Sequence, residues 1–272
     1  KYVHEFQYLK DQATGQLATF MDYITYEFLI KNISFLITSL IRGNANSGDL
    51  LSKCDPLGFF PGLKTILTFE NSSDGLVELY RTVLVDTPVA PYFEKYFNAE
   101  IRTDEPLHQV EQVYNEVEID IITNMLQKLW LEDFYRYCIS LGGETAIYMK
   151  ELLEFEADQR AISITINSFG TQLNEVFARD SERKALYCNF GKLYPEGIES
   201  FSKVGDMQQL QEALAPYSTF RYLWNKAQTD GKSFQDMLYE YEVRLNRLAF
   251  ESQSHFACFW AYGKLKQQEK RN

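Results

Sequence analysis

The stretch LLEFEADQRAISITINSFG, Leu152 to Gly170, decides the fold of this chain. When it is drawn as a helix, the charged residues fall on one side and the apolar residues on the other, the pattern of a helix that packs against a core. Proline is scarce in the whole chain, at 7 residues, so long uninterrupted helices are permitted. The stretch therefore predicts one long amphipathic helix within a helical protein.

An earlier part of the chain carries the same pattern, displaced by a constant offset (155 − 26 = 129). The matching pairs are Tyr26 with Phe155, Glu27 with Glu156, Ile33 with Ile162, Ser34 with Ser163, Ile37 with Ile166 and Ser39 with Ser168. A weaker third copy starts at Tyr241-Glu242, where Leu248 takes the place of Ile33. The repeat predicts a body of similar helical units that arose by triplication, and such bodies bind partners and transmit force.

The rest of the chain also favours helices, and no segment alternates as a strand does. The predicted elements are two helices within residues 1–42 around Thr14-Gly15, loops with short helices over 43–75, a long helix over 107–141 that Gly142-Gly143 stops, a helix over 145–169, short helices over 171–225, and a last long helix from Ser233 to the end. Ser233 and Asp236 have the spacing of a capping box at the start of that last helix. The predicted fold class is all-α.

Residues 76–98 predict two short helices that Asp86-Thr87-Pro88 separates. Asp86 or Thr87 is the predicted cap of the second helix, because short polar side chains satisfy the free amide groups at a helix start. Pro88 is predicted in the first turn of that helix, where its missing N–H costs nothing.

Composition and charge exclude several classes of protein. Of the 272 residues 45% are hydrophobic and 15% aromatic, enough for a large core. The net charge of −11 argues against nucleic acid, and an anionic membrane surface would repel the chain. The apolar run from Phe28 to Ile41 is interrupted by polar residues and falls short of the roughly 20 apolar residues that span a bilayer. The four cysteines are far apart, which predicts reduced thiols in the cytosol.

A search for reaction chemistry gives only weak candidates. The chain has no phosphate-binding glycine loop and no zinc-binding HExxH motif. A di-iron site needs Glu-x-x-His pairs, but Glu251 and His255 are four residues apart. His255 and Cys258 are one helical turn apart without a third catalytic partner in the sequence. We therefore predict no catalytic residue, no metal and no cofactor, and a helical enzyme with a carboxylate or thiol centre is the less favoured alternative.

Glu156 and Arg160 have the favourable order and spacing for an ion pair on one helix. Their apolar neighbours favour a partly buried pair that fixes the helix against a neighbour. An exposed pair would contribute only a few tenths of a kcal/mol, about 0.3–0.5.

Seven phrases together resemble subunit d of the vacuolar-type proton-translocating ATPases, a family that includes the C subunits of archaeal and bacterial relatives. They are FMDYITY (20–26), CDPLG (54–58), VLVDTPVAPYF (83–93), EIDIITN (118–124), LEDFY (131–135), LLEFEADQRAI (152–162) and GKLYPEG (191–197). The phrases follow the order of the family and cover nearly the whole chain. Gln159 and Thr123 depart from the family pattern, which often has arginine at each position.

The resemblance implies a single funnel-shaped, all-helical domain over residues 1–272. It implies three similar lobes, roughly 1–98, 99–190 and 191–272, and family segments that continue beyond both ends of this sequence. Six residues of the shared phrases are expected to be structural rather than catalytic, and they are Asp86, Thr87, Pro88, Glu156, Asp158 and Arg160.

The function that the resemblance implies is that of a non-catalytic rotor subunit of a proton pump. Such a subunit links the central-stalk subunits D and F to the proteolipid c-ring and couples ATP hydrolysis to proton transport, with subunit a as a further expected neighbour. It would be peripheral on the cytosolic face of a vacuolar, lysosomal or other endomembrane, without membrane insertion, nucleic acid or cofactor. The alternative is a helical scaffold of the same ancestry that binds other partners.

Overall fold

The computed structural model of the protein describes residues 2–43, 47–70, 75–100, 116–252 and 255–269. In this part of the chain the secondary structure is helical and no β-strand occurs, which confirms the all-α prediction. The α-helices described there are α1 Tyr2–Gln12, α2 Gly15–Ile41, α3 Ser47–Lys53, α4 Gly75–Leu79, α5 Ala90–Glu100, α6 Glu116–Leu141, α7 Gly143–Ser168, α8 Val176–Ala178, α9 Glu196–Phe201, α10 Met207–Leu214, α11 Ser218–Asp230, α12 Phe234–Ser252 and α13 Ala257–Glu269.

Shorter helical segments connect these helices. Turns of 3-10 helix occupy Pro56–Gly58, Pro61–Thr68 and Gln172–Asn174. Two π-helical turns, Tyr80–Leu84 and Arg179–Arg183, continue α4 and α8. The predicted loops and short helices of residues 43–75 and 171–225 are therefore confirmed where the structure describes them.

The chain forms two compact units, residues 1–130 and residues 131–272. The boundary falls within α6, so that its N-terminal part belongs to the first unit and its C-terminal part to the second. The division into three lobes and the funnel shape stay predictions.

Helix α2 is the core helix of the first unit. It begins after Thr14, as predicted, and Phe20, Met21, Ile30 and Leu36 on it are completely buried. By length and composition α2 is also apolar enough to cross a membrane, a property that the shorter run from Phe28 did not reveal. Most of its apolar window is buried inside the protein, which favours a core helix.

Helix α6 ends before Gly142-Gly143 as predicted, and Gly143 is the first residue of α7. Both have positive φ angles, 67° and 56°, which side-chain-bearing residues rarely adopt. The helical hairpin α6–α7 is therefore confirmed, while residues 107–115 of the predicted long helix lie outside the described residues.

The prediction of one long C-terminal helix is wrong, because α12 ends at Ser252 and α13 begins at Ala257. Contacts with α7 stabilise the break. The N–H of Phe256 donates to Thr145 Oγ1 at 3.1 Å, and the His255 ring stacks on Tyr148 with a centroid separation of 4.2 Å. The capping box at the start of α12 is confirmed, since Asp236 N donates to Ser233 Oγ at 3.1 Å and Ser233 N to Asp236 Oδ2 at 3.2 Å.

The Asp86-Thr87-Pro88 turn differs from its prediction in one respect. Helix α5 begins at Ala90, so Pro88 precedes the first turn instead of lying within it. The proline in the first turn of α5 is Pro91 instead, where its missing N–H costs nothing. The buried Thr87 donates its hydroxyl to Leu84 O at 2.7 Å and so closes the preceding helical segment. A capping role of Asp86, which is exposed, stays a prediction.

Candidate functional site

Three of the shared phrases meet in the second unit, at a site that we call the motif junction. It comprises Glu132 and Tyr135 of α6, Glu154 and Asp158 of α7, and residues 189–193 of the loop that precedes α9. The side chain of Tyr135 joins the two helices, because its hydroxyl donates to Glu154 Oε1 at 3.2 Å. The same ring stacks on Phe190 with a centroid separation of 4.0 Å, so α6 also contacts the loop.

Asp158 holds the loop against α7. Its carboxylate is 1% exposed and accepts two main-chain hydrogen bonds, from Lys192 N to Oδ2 and from Leu193 N to Oδ1, each 3.0 Å long. Glu132 does the same from α6, since its Oε1 accepts from Asn189 N at 2.8 Å. Carboxylates from two helices therefore fix the main chain of the loop on both sides of Phe190.

Gly191 is required for this approach. Its φ angle is +124°, a conformation that side-chain-bearing residues rarely adopt, and a Cβ at this position would overlap Asp158 Oδ1. The same Cβ would also contact Glu154 O at 3.5 Å. The glycine at the start of GKLYPEG is therefore the residue that lets the loop reach the carboxylate of α7.

Burial raises the pKa of Asp158 from its ordinary value of 3.8 to about 7. The N–H groups of Leu193 and Lys192 lower this pKa, and the nearby carboxylate of Glu154 raises it. Burial also raises the pKa of Tyr135 to about 12, and the Glu154 carboxylate acts in the same direction. Desolvation thus outweighs the hydrogen bonds at Asp158, and its protonation changes near neutral pH.

We expect Asp158 to make the stability of the protein depend on pH between about 4 and about 7. A raised pKa means that the folded protein binds this proton more tightly than the unfolded chain, so the contribution to the free energy of unfolding is largest below pH 4 and falls as pH rises to 7. Urea denaturation of the wild type and of Asp158→Asn at several pH values measures this. The difference between the two proteins should decline across that window and level off above it, and a difference independent of pH contradicts the expectation.

A similar arrangement occurs in the first unit, between α2 and the CDPLG phrase. The amide of the buried Asn32 exchanges two hydrogen bonds with the main chain of Asp55, Nδ2 to O and N to Oδ1, both 2.8 Å long. A Cβ on Gly58 would overlap the main chain of Phe28 and lie 2.6 Å from Asn32 Nδ2. In each unit, a buried polar side chain of a long helix holds the main chain of a loop whose glycine permits close contact.

Burial matches at three of the six residue pairs in the first two copies of the predicted repeat. Ile33 and Ile162, which occupy matching positions of α2 and α7, are 1% and 0% exposed. Ser39 and Ser168 are also both buried. Leu248, the residue at the matching position of the third copy, is 53% exposed on α12, so the pattern of burial does not extend to that copy.

Glu156 has an ion-pair partner on another helix. Lys264 Nζ of α13 lies 3.2 Å from Glu156 Oε2 of α7 and 4.0 Å from Glu242 Oε1 of α12, and it is 4.7 Å from the centroid of the Trp260 ring. The three charged side chains are only 11–18% exposed. Lys264 therefore joins three helices, and the pairing of Glu156 with Arg160 stays a prediction.

Replacing Lys264 by methionine should lower the free energy of unfolding by about 2–4 kcal/mol, because it removes the ammonium group from beside the largely buried carboxylates of Glu156 and Glu242. The matched control is Lys266→Met, since Lys266 pairs with Glu269 near the surface, where such pairs contribute about 0–1 kcal/mol. Urea denaturation of both variants measures the difference. Equal losses in the two variants are the result that contradicts this prediction.

Arg183 is the main residue of the second unit that the sequence did not identify. It is completely buried, and its guanidinium donates from Nη1 to Ser168 Oγ at 2.8 Å and to Asn174 Oδ1 at 3.2 Å. Nη2 donates to the carbonyls of Phe201 and Val204 at 2.8 and 2.6 Å. Burial lowers the pKa of Arg183, yet an arginine keeps its charge in proteins. This one side chain holds together the end of α7, the segment after it and the loop after α9.

The residues that the sequence raised as catalytic candidates have unsuitable surroundings. Burial lowers the pKa of His255, and burial raises the pKa of the Cys258 thiol, the reverse of what an activated nucleophile needs. His4 is exposed, and His108 lies outside the described residues. Within the described ranges, no three His, Cys, Asp or Glu side chains are grouped so that they could hold a metal ion.

Comparison with known proteins agrees with the shared phrases. The sequence model of the ATP synthase (C/AC39) subunit family matches residues 1–272. The V-type proton ATPase subunit d of Dictyostelium discoideum is 41% identical to this chain, over 100% of the chain and 70% of the relative. Subunit d1 of Arabidopsis thaliana is 40% identical and subunit d of Saccharomyces cerevisiae 37%, each over 100% of this chain and 72% of the relative.

The chain belongs to the ATP synthase (C/AC39) subunit family. Its relatives are V-type proton ATPase subunits d, so the resemblance that the seven phrases indicated is confirmed. The motif junction is thus a meeting point of three phrases that resemble this family.

Proposed function

We propose that this chain is a non-catalytic rotor subunit of a V-type proton ATPase. It links the central-stalk subunits D and F to the proteolipid c-ring and so couples ATP hydrolysis to proton transport. The observation that carries the proposal is the match to subunit d along the entire chain, at 37–41% identity in the three relatives described above.

The physical character of the two units supports a role in transmitting torque. A coupling piece must resist deformation, and close-packed protein interiors transmit strain. In the first unit the Asn32 contact holds the CDPLG loop, and in the second unit Asp158 and Arg183 hold loops to α7. Loops fixed by buried hydrogen bonds add stiffness where connecting segments are usually the most mobile parts of a protein.

The charge of the chain supports a peripheral position on the cytosolic face of the membrane. A net charge of −11 disfavours direct contact with anionic lipid and favours basic protein surfaces. The free cysteines Cys54, Cys138, Cys188 and Cys258 are compatible with a reducing compartment. The membrane contact of the protein would then pass through the c-ring, with subunit a as a neighbour.

The test removes the gene in the source organism and measures ATP hydrolysis and ATP-driven acidification in isolated endomembrane vesicles. We expect acidification to be lost and to return when the wild-type protein is expressed again. A tagged copy should co-purify with the c-ring and the stalk subunits. Intact acidification after deletion, together with purified complexes that lack ring and stalk, would overturn the proposal in favour of a scaffold with other partners.

A further inference from the structure

Val176 and Phe177 are the two most exposed large hydrophobic residues in the part of the chain that the structure describes. Their exposed fractions are 76% and 82%, and they are adjacent in α8. Single exposed hydrophobic residues are normal at protein surfaces, but neighbouring large ones on a fixed support mark interaction sites. We call residues 175–182 the Phe177 segment.

Hydrogen bonds and two buried residues hold the Phe177 segment in place. It lies between Asn174, whose amide donates to Gly205 O at 3.0 Å, and the buried Arg183. Within the segment, Arg179 Nη1 donates to Lys203 O at 3.0 Å, and Ala178, the neighbour of Phe177, is buried. The two apolar side chains are therefore presented on a backbone that is already ordered, which lowers the entropic cost of binding.

The surroundings of the two side chains are predominantly acidic. The carboxylates outnumber the cations by five to three, and they are Glu175, Asp180, Glu182, Glu199 and Asp206 against Arg179, Lys184 and Lys203, of which Lys184 is paired with Glu199. An anionic lipid surface would be repelled by such a rim. A protein surface with lysine or arginine around an apolar pocket is complementary to it, because opposite charges at a rim steer the encounter while the apolar core gives affinity.

We propose that Val176 and Phe177 anchor this chain in an apolar pocket, rimmed by lysine and arginine, on another subunit of the same pump. This proposal rests on the proposed function. Aromatic side chains that fill a partner's pocket carry a large share of the binding energy in protein interfaces. The rigid mounting by Arg183 fits a contact that has to withstand force, because the anchor cannot swing away from the body of the second unit.

The first test places a photo-cross-linking amino acid at position 177 in a tagged copy of the full-length protein, assembled into the pump in its own membranes. After irradiation, the cross-linked peptide is identified by mass spectrometry. We expect a peptide of another pump subunit in which apolar residues are flanked by lysine or arginine. A cross-link to lipid, to a second copy of this chain or to an acidic surface, or no intermolecular cross-link, overturns the proposal.

The second test compares Phe177→Ser with Ile147→Ser, a control on α7 whose side chain is 68% exposed. The amount of the other pump subunits that co-purifies with the tagged protein should fall about tenfold or more for Phe177→Ser, since burial of a phenylalanine changes an affinity by at least that factor. For the control it should fall about twofold or less. Unchanged thermal unfolding shows that both variants fold. Full recovery with Phe177→Ser, or an equal loss with Ile147→Ser, refutes the anchor.

The charge of the rim is tested by replacing Glu175 and Glu182 with lysine, against the matched double change of the exposed Glu151 and Glu251. Only the first pair should weaken recovery of the pump, and the effect should shrink in about 0.5 M salt, where screening is strong. Equal effects of the two pairs refute the acidic rim. If even the wild-type tagged protein recovers no pump subunits, the proposed function itself fails, which separates the two ideas.

Discussion

Replacing Arg183 by methionine will lower the free energy of unfolding by about 3–5 kcal/mol. The change removes the donor to two main-chain carbonyls and to Ser168 Oγ, which stay buried, and to the partly buried Asn174 Oδ1. Each buried polar group without its partner costs about 1–3 kcal/mol. Methionine fills part of the space and spares the cost of burying a charge, which keeps the total below the sum of the four losses.

The measurement is urea denaturation followed by circular dichroism, with Arg136→Met as the control. Arg136 is exposed and pairs with Asp133 on the surface of α6, so its loss should change the free energy by less than about 1 kcal/mol. Arg183→Lys keeps the charge but lacks the planar fork that reaches several acceptors, and it should fall between the two. A loss below about 1 kcal/mol in Arg183→Met shows that water or a rearranged loop satisfies the same groups.

Gly191→Ala should lower the free energy of unfolding by about 2–4 kcal/mol. Alanine at a φ of +124° is strained by about 1–3 kcal/mol, and the new methyl group would displace Asp158 from the two amides that it holds. The expected consequence is a loosened loop and a more exposed carboxylate at position 158.

Two controls separate strain from crowding. Gly231→Ala also has a positive φ, 65°, but no atom lies within 4 Å of its new Cβ, so its loss should reflect strain alone, about 1 kcal/mol. The double variant Gly191→Ala/Asp158→Ala should lose less free energy of unfolding than the two single variants lose together, because both changes break the same contact. Full additivity would mean that the alanine does not act through Asp158.

Small residues at the helix ends made much of the fold predictable. Thr14-Gly15 and Gly142-Gly143 mark real helix boundaries because glycine supplies backbone conformations that a helix end requires. The capping box of Ser233 and Asp236 could also be predicted from the sequence, since its two hydrogen bonds depend on local spacing alone.

Features that depend on distant partners could not be predicted in the same way. The break between α12 and α13 carries no proline or glycine, and contacts of His255 and Phe256 with α7 accompany it. Arg183 lies in the polar run RDSERK, residues 179–184, which in sequence is indistinguishable from a solvated surface. Asp158 was noted as part of a shared phrase, but nothing local indicated that its partners are amides more than thirty residues away.

The bonds of Asp158 and Asn32 go to main-chain atoms, and this has a consequence for divergence within the family. Every residue has a main-chain carbonyl and every residue except proline has an amide N–H, so Lys192, Leu193 and Asp55 can be exchanged for residues other than proline without losing these donors and acceptors. Only the residue types of Asp158 and Asn32, whose side chains make the bonds, and of the nearby Gly191 and Gly58 are restricted. Drift in loop composition is therefore compatible with an unchanged backbone path, and relatives that share only a minority of their residues can keep interchangeable geometry.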